Sequence, residues 1–203
     1  MLHAELEPKG LTVVTVALDS AGAVAAGEFI RAAMPTHPSL IDAHYEVART
    51  YNMVNVPTAV WIDEEGRIVR PNEMAFADNR WIEYTKFDMT RYLDAVRDWA
   101  QRGAQSPYAL AAKERRRRLR LPTAEHALAG ATFRLAEHLH ETGHPEAAVA
   151  FFKLAQALQP ESWCFKRQAW ALTDAEKFYG TTFQKEVAAL GGRPYYTPLD
   201  LGG

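Results

Sequence analysis

The chain has 203 residues, 48% of them apolar and 24% charged, with a formal net charge of −2; this is enough apolar material for one mid-sized domain or two small ones, and too little charge for a general attraction to nucleic acid or an acidic membrane. A single cysteine, Cys164, excludes an internal disulfide and any CxxC chemistry within the sequence. No run of eighteen apolar residues occurs, and the opening "MLHAELEPKG" has acids and a proline where a secretory signal has a basic tip and an apolar core, so the sequence as it stands carries no export signal or membrane segment and reads as cytoplasmic, its true compartment left unassigned.

Two halves follow different patterns, and the change falls near "RGAQSP" (Arg102 to Pro107), where Gly, Ser and Pro cluster. The division is placed as residues 1–102 and 103–203. In the first half "LTVVTVALD", Leu11 to Asp19, is a β-branched apolar run that predicts a strand buried on both faces, as in a parallel sheet. A helix containing Glu28, Phe29, Ile30 and Ala33 follows, ended by Pro35 and Pro38, and "SLID" is a short strand leading into a second helix, "AHYEVARTYNM". Next, "TAVWID", the turn "EEG" and "RIVRP" form a hairpin. The segment "RPNEMAFADNRWIEY" is longer than a simple connection and carries Phe76, Trp81 and Tyr84, either as a lid or as packing between the halves. A helix from about Met89 to Gln101 sets Tyr92, Leu93, Val96 and Trp99 on one face.

From Leu110 onward the pattern is helical. In "TFRLAEHLHETGHPEAAVAFFKLAQALQP" the small or apolar residues Leu135, Ala136, Leu139, Ala148, Phe152 and Ala155, followed by Pro160, resemble a tetratricopeptide repeat, a helix-turn-helix unit of about 34 residues. Small residues at Ala136 and Ala148 let two antiparallel helices approach, "TGHP" makes the turn, and Pro160 stops the second helix. A helix around Trp163 to Glu176 is read as a cap, since one repeat cannot bury its own apolar face.

The first half resembles the thioredoxin-like superfamily, TlpA/ResA-like branch, over about Leu2 to Trp99. The resemblance lies in "GLTVVTVALD", a helix, and then "YEVARTYNMVNVPTAVWIDEEGRIV". It implies a cis peptide bond at Pro57, facing a redox dithiol, and a substrate-side loop of Val56, Pro57 and Thr58, in which the Val56 backbone offers hydrogen bonds to an extended polypeptide. In that family the dithiol and the strand before it precede a helix whose last turns "LHAEL" resembles. No catalytic residue is therefore expected in this chain. Three explanations stay open: a start assigned too far downstream, with an upstream selenocysteine as one route; a cysteine-free scaffold; or a natural short form completed by a partner. Leu11–Asp19 and Thr58–Ile62 are expected in one sheet with a gap or an unusual pairing where a central strand would lie, and their separation into different sheets would remove the thioredoxin assignment altogether.

Other features have plainer readings. Cys164, between Trp163 and Phe165, reads as a small buried hydrophobe. His138, His140 and His144 read as solvated repeat surface rather than metal ligands, and His37 and His44 have no ligating spacing. "KERRRRLR", Lys113 to Arg120, reads as a solvated face, with docking of an acidic partner left open. The fold class is thus α/β, an incomplete thioredoxin-like fold followed by an α-helical TPR-like region. In a full-length form the resemblance implies a thiol-disulfide oxidoreductase or redox-responsive protein. The alternative is a non-catalytic scaffold with a protein-interaction module. Expected partners are a polypeptide substrate or partner protein, with homo-oligomer formation open, no nucleic acid and no cofactor.

Overall fold

A computed structural model describes residues 2–80, 82–119 and 121–202, less the side chain of Tyr84. Helix α1 (Leu2–Leu6) runs into a single 3-10 turn, and Gly10, at φ +86°, ends it in a left-handed conformation that a side chain would resist. Then come β1 (Thr15–Leu18), α2 (Ala23–Ala33), β2 (Ser39–Asp42) and α3 (Glu46–Thr50). The hairpin β3 (Thr58–Ile62) and β4 (Ile68–Met74) is followed by α4 (Ile82–Thr85) and α5 (Thr90–Arg102). Beyond residue 102 the described elements are helical: α6 (Ala112–Arg118), α7 (Ala124–Glu141), α8 (Pro145–Leu158), α9 (Trp163–Leu172), α10 (Ala175–Tyr179) and α11 (Phe183–Ala188). None of these helices is long and apolar enough to cross a membrane.

The strands form two separate two-stranded sheets. β1 and β2 pair in parallel, Thr15 opposite Ser39 through Leu18 opposite Asp42. β3 and β4 pair antiparallel, Thr58 opposite Met74 and Ile62 opposite Ile68, with irregular register around Trp61. The Asp63 carboxylate organises their turn by accepting the Arg67 amide at 2.9 Å. The expectation that Leu11–Asp19 and Thr58–Ile62 share a sheet is therefore corrected. Among the described residues each of β1 and β3 has a ladder partner on one side only and no strand lies between them, so the backbone pairing does not pass from one to the other. The first strand is also shorter and wetter than its composition suggests. It spans four residues, none of them buried, and the preceding Val14 is 52% exposed. A two-stranded sheet has no inner strand to cover.

Two hydrophobic clusters hold the chain, and each draws residues from both sides of residue 102. The first joins Tyr45 and Ala48 to Ala129, Phe133 and Ala136 of α7, Ala148, Phe152 and Ala155 of α8, and Phe165 of α9. α7 and α8 are connected by Thr142, Gly143 and His144, with Pro145 in the first turn of α8, where its missing N–H costs nothing. Ala136 and Ala148 are fully buried and let the helices close up, whereas Leu135 is 43% exposed, so the inward face of α7 runs through Phe133 instead. The second cluster gathers Leu6, Trp61, Val69, Met89, Tyr92 and Val96 with Leu201 from the end of the chain. Trp61 stacks on Trp99 and donates its Nε1–H to the Tyr92 hydroxyl at 2.8 Å.

Candidate functional site

The loop entering β3 is set by the helix before it. Asp42, the last residue of β2, turns its carboxylate onto the start of α3, accepting the amides of Glu46 (2.8 Å) and Val47 (2.9 Å). A carboxylate there satisfies donors that have no intrahelical partner. Tyr45, at φ +58°, precedes this start, so the helix occupies only part of "AHYEVARTYNM". After α3 the Val54 carbonyl accepts the Cys164 amide at 3.1 Å, and the Asn52 carbonyl accepts from Asn72 Nδ2 at 3.2 Å. The loop is thereby pinned to α9 on one side and to β4 on the other.

Val56, Pro57 and Thr58 are all half-buried, and the Val56–Pro57 peptide is cis. Val56 packs on the first cluster, and Ala59, one residue past Thr58, packs on the second. The Val56 amide donates to the side-chain oxygen of Asn55 at 2.9 Å, and its carbonyl accepts the Tyr196 hydroxyl at 3.2 Å. The Thr58 hydroxyl is committed to the Glu73 carbonyl at 2.8 Å and the Pro57 carbonyl accepts the Ala75 amide at 3.4 Å, so both are tied to β4 and its end, and Asn55 and Val56 make the contacts beyond the hairpin.

A chain segment 140 residues downstream lies against this edge. Asn55 Nδ2 donates to the Tyr195 carbonyl at 3.2 Å, and the Tyr195 hydroxyl donates to Asn55 Oδ1 at 3.1 Å. The Tyr195 ring packs edge-on to Trp163 at 4.6 Å and to Phe183 at 5.6 Å, while Tyr196 meets Phe76 and Phe87, each at 5.8 Å. Burial pushes the Tyr195 phenol up from its ordinary pKa, so it stays a hydroxyl donor at neutral pH. Phe76 thus packs within the molecule; Trp81 and the Tyr84 side chain lie outside the described residues.

Cys164 is next to the loop but is not exposed to it as a reagent. It sits in the first turn of α9, 5% exposed, and burial pushes its thiol up to about 12 although Arg167 opposes the rise. Helix N-termini ordinarily favour a thiolate. Here desolvation wins, and at neutral pH the sulfur is a protonated apolar filler.

A cleft of about 590 Å³ opens between α3, the start of α7 and the start of α9, lined among others by Arg49, Met53, His126, Gly130 and Arg134. Its basic side chains all have acidic neighbours: Arg49 pairs with Glu46, Arg134 lies 3.6 Å from both Glu137 and Glu141, and His126 is 3.3 Å from Glu161. On the "KERRRRLR" run, Arg117 and Arg118 both bond Glu114, whose carboxyl they hold down at about 2, and Arg118 also reaches Asp200. Arg120 lies outside the described residues. Among the described residues no three His, Cys, Asp or Glu side chains are placed to hold a metal ion.

Sequence reasoning missed Asn55, Tyr195 and Tyr196. The aromatic pair between Pro194 and Pro198 was a visible signal, but nothing local could say which surface it would meet. Compared with protein-family models, with curated proteins and with solved structures, the chain matches none.

Proposed function

We propose that this chain is a polypeptide-docking protein without dithiol chemistry of its own, and that its docking edge is the loop of Asn55, Val56, Pro57 and Thr58. The observation that carries the reading is the mounting of that loop. It is held from both hydrophobic clusters and tied to α9 by the hydrogen bond from the Cys164 amide to the Val54 carbonyl, yet its Asn55 side-chain amide and Val56 carbonyl bond outside any sheet ladder. Rigid support of a loop whose Asn55 side chain and Val56 carbonyl bond outside a ladder suits recognition of an extended chain, which can meet both with its own backbone and side-chain groups. The sole thiol is buried and protonated, which leaves no nucleophile for disulfide exchange.

A titration with reduced, carboxymethylated α-lactalbumin, followed by amide chemical shifts, tests this. Shifts are expected at Asn55, Val56 and Thr58. Shifts confined to α7 and α8 would move the docking role to the helical hairpin and overturn the reading.

A second reading rests on the free edges of β1 and β3, although the separation of these strands into two sheets stands against it. Joined to a further strand bearing a dithiol or its selenium analogue, the same loop becomes the substrate side of a thioredoxin-like thiol-disulfide oxidoreductase. The unpaired ladder groups on these edges are where such a strand would bond.

A further inference from the structure

Residues 194–201 join no helix and no strand. At one end Tyr195 and Tyr196 bond to Asn55 and Val56 and pack against Trp163, Phe183, Phe76 and Phe87. At the other, the Asp200 carbonyl accepts from the buried Arg70 and from Arg118, and Leu201 enters the second cluster. Thr197 and Pro198, between these anchors, are exposed. Pro194 and Pro198 lack N–H groups, so the run cannot complete a sheet ladder, and side chains hold its two ends. The hydrogen bonds at the tyrosine end are neutral and exchange with water at little net gain, so this end yields while the Asp200 end stays held by Arg70 and Arg118. The segment is nevertheless seated, because attachment to the same chain gives it a high effective concentration.

We infer that residues 194–201 are a displaceable strap: they close the Asn55–Val56 edge when no partner is bound and yield it to an extended polypeptide that carries adjacent aromatic residues beside a proline. This rests on the reading of the loop as a docking edge. The chemistry of the partner follows from what the strap supplies. Asn55 takes one backbone carbonyl and one hydroxyl, the Val56 carbonyl takes a second hydroxyl, and the aromatic side chains around them receive two rings. A partner at ordinary concentration competes against a tethered occupant, so binding is weak until the strap is loosened.

The test uses the full chain and a fluorescein-labelled peptide, Gly-Arg-Pro-Tyr-Tyr-Thr-Pro, copying residues 192–198, with binding read by anisotropy. The double variant Tyr195→Ala/Tyr196→Ala is expected to bind it at least tenfold more tightly than the unmodified chain, and adding Asn55→Ala should remove the gain. If the double variant fails to fold by circular dichroism, Tyr196→Phe, which deletes the hydroxyl that bonds Val56, is expected to give a gain of about threefold. Equal binding by variant and unmodified chain, still abolished by Asn55→Ala, would overturn the strap and leave the docking edge standing. Binding by none of them would overturn the docking edge, and the strap with it.

Discussion

Glu137→Gln should remove a pH dependence that ties α7 to the first half of the chain. Glu137 is 1% exposed and accepts a hydrogen bond from Ser20, which lies in the turn between β1 and α2. Arg134 and Arg49 favour its charged form and Glu141 opposes it, but burial outweighs them all and raises the carboxyl from its ordinary 4.5 to about 7. At about 1.4 kcal/mol per tenfold change in proton affinity, the gap is worth about 3 kcal/mol. A group whose folded pKa is raised contributes fully below its unfolded pKa and loses that contribution as the pH rises through the folded value. The folded chain should therefore lose up to about 3 kcal/mol through this residue between about pH 4.5 and pH 8. The glutamine side chain keeps an acceptor for Ser20 and has nothing to ionise. Urea unfolding of both proteins at pH 5, 6, 7 and 8 reads the difference directly, and the seven histidines cancel between them. Relative to the unmodified chain, the variant should gain stability steadily from pH 5 to pH 8. Parallel stability curves would refute the reasoning.

Three further outcomes follow from packing. Phe152→Ala empties a fully buried site between α7 and α8 and should cost about 3–5 kcal/mol in urea unfolding at constant slope; a loss below about 1 kcal/mol would mean that this site is not core. Tyr92→Phe leaves the Trp61 indole N–H, 5% exposed, without its acceptor and should cost about 1–3 kcal/mol, with a shifted Trp fluorescence maximum as an independent sign. Cys164 should react with a thiol reagent slowly in the folded chain and at once in denaturant, and the chain should not reduce insulin. Turnover that disappears in Cys164→Ser would place the chemistry in α9.

How much of this was legible in the sequence depended on how local the cause was. "SLID" forms β2 over the same four residues, and "TAVWID", "EEG" and "RIVRP" lie in the β3–β4 hairpin, because alternation and turn residues act within a few positions, although β4 runs on through Met74 into the segment read as a lid or packing. α7, the turn and α8 follow the helical spacing and the "TGHP" break for the same reason. "LTVVTVALD" misleads because β-branched composition reports preference for a strand, whereas burial depends on neighbours that this two-stranded sheet lacks. Leu135 misleads because the inward face of α7 is chosen by Phe133, which stacks on Phe165 at 4.5 Å. The loop residues Val56, Pro57 and Thr58 were marked by resemblance alone. What meets them, Tyr195 and Tyr196, lies 140 residues away in a proline-rich run with no periodicity.

The docking edge is tested most directly without altering the protein. The same Gly-Arg-Pro-Tyr-Tyr-Thr-Pro peptide, with benzoylphenylalanine in place of its second tyrosine, is irradiated with the full chain and the cross-linked residues are mapped by mass spectrometry. Adducts are expected on the loop from Val54 to Thr58 and on Phe76 or Phe87, the side chains that surround Tyr196. Adducts confined to α7, α8 or the cleft lined by Arg49 and Arg134 would contradict the assignment.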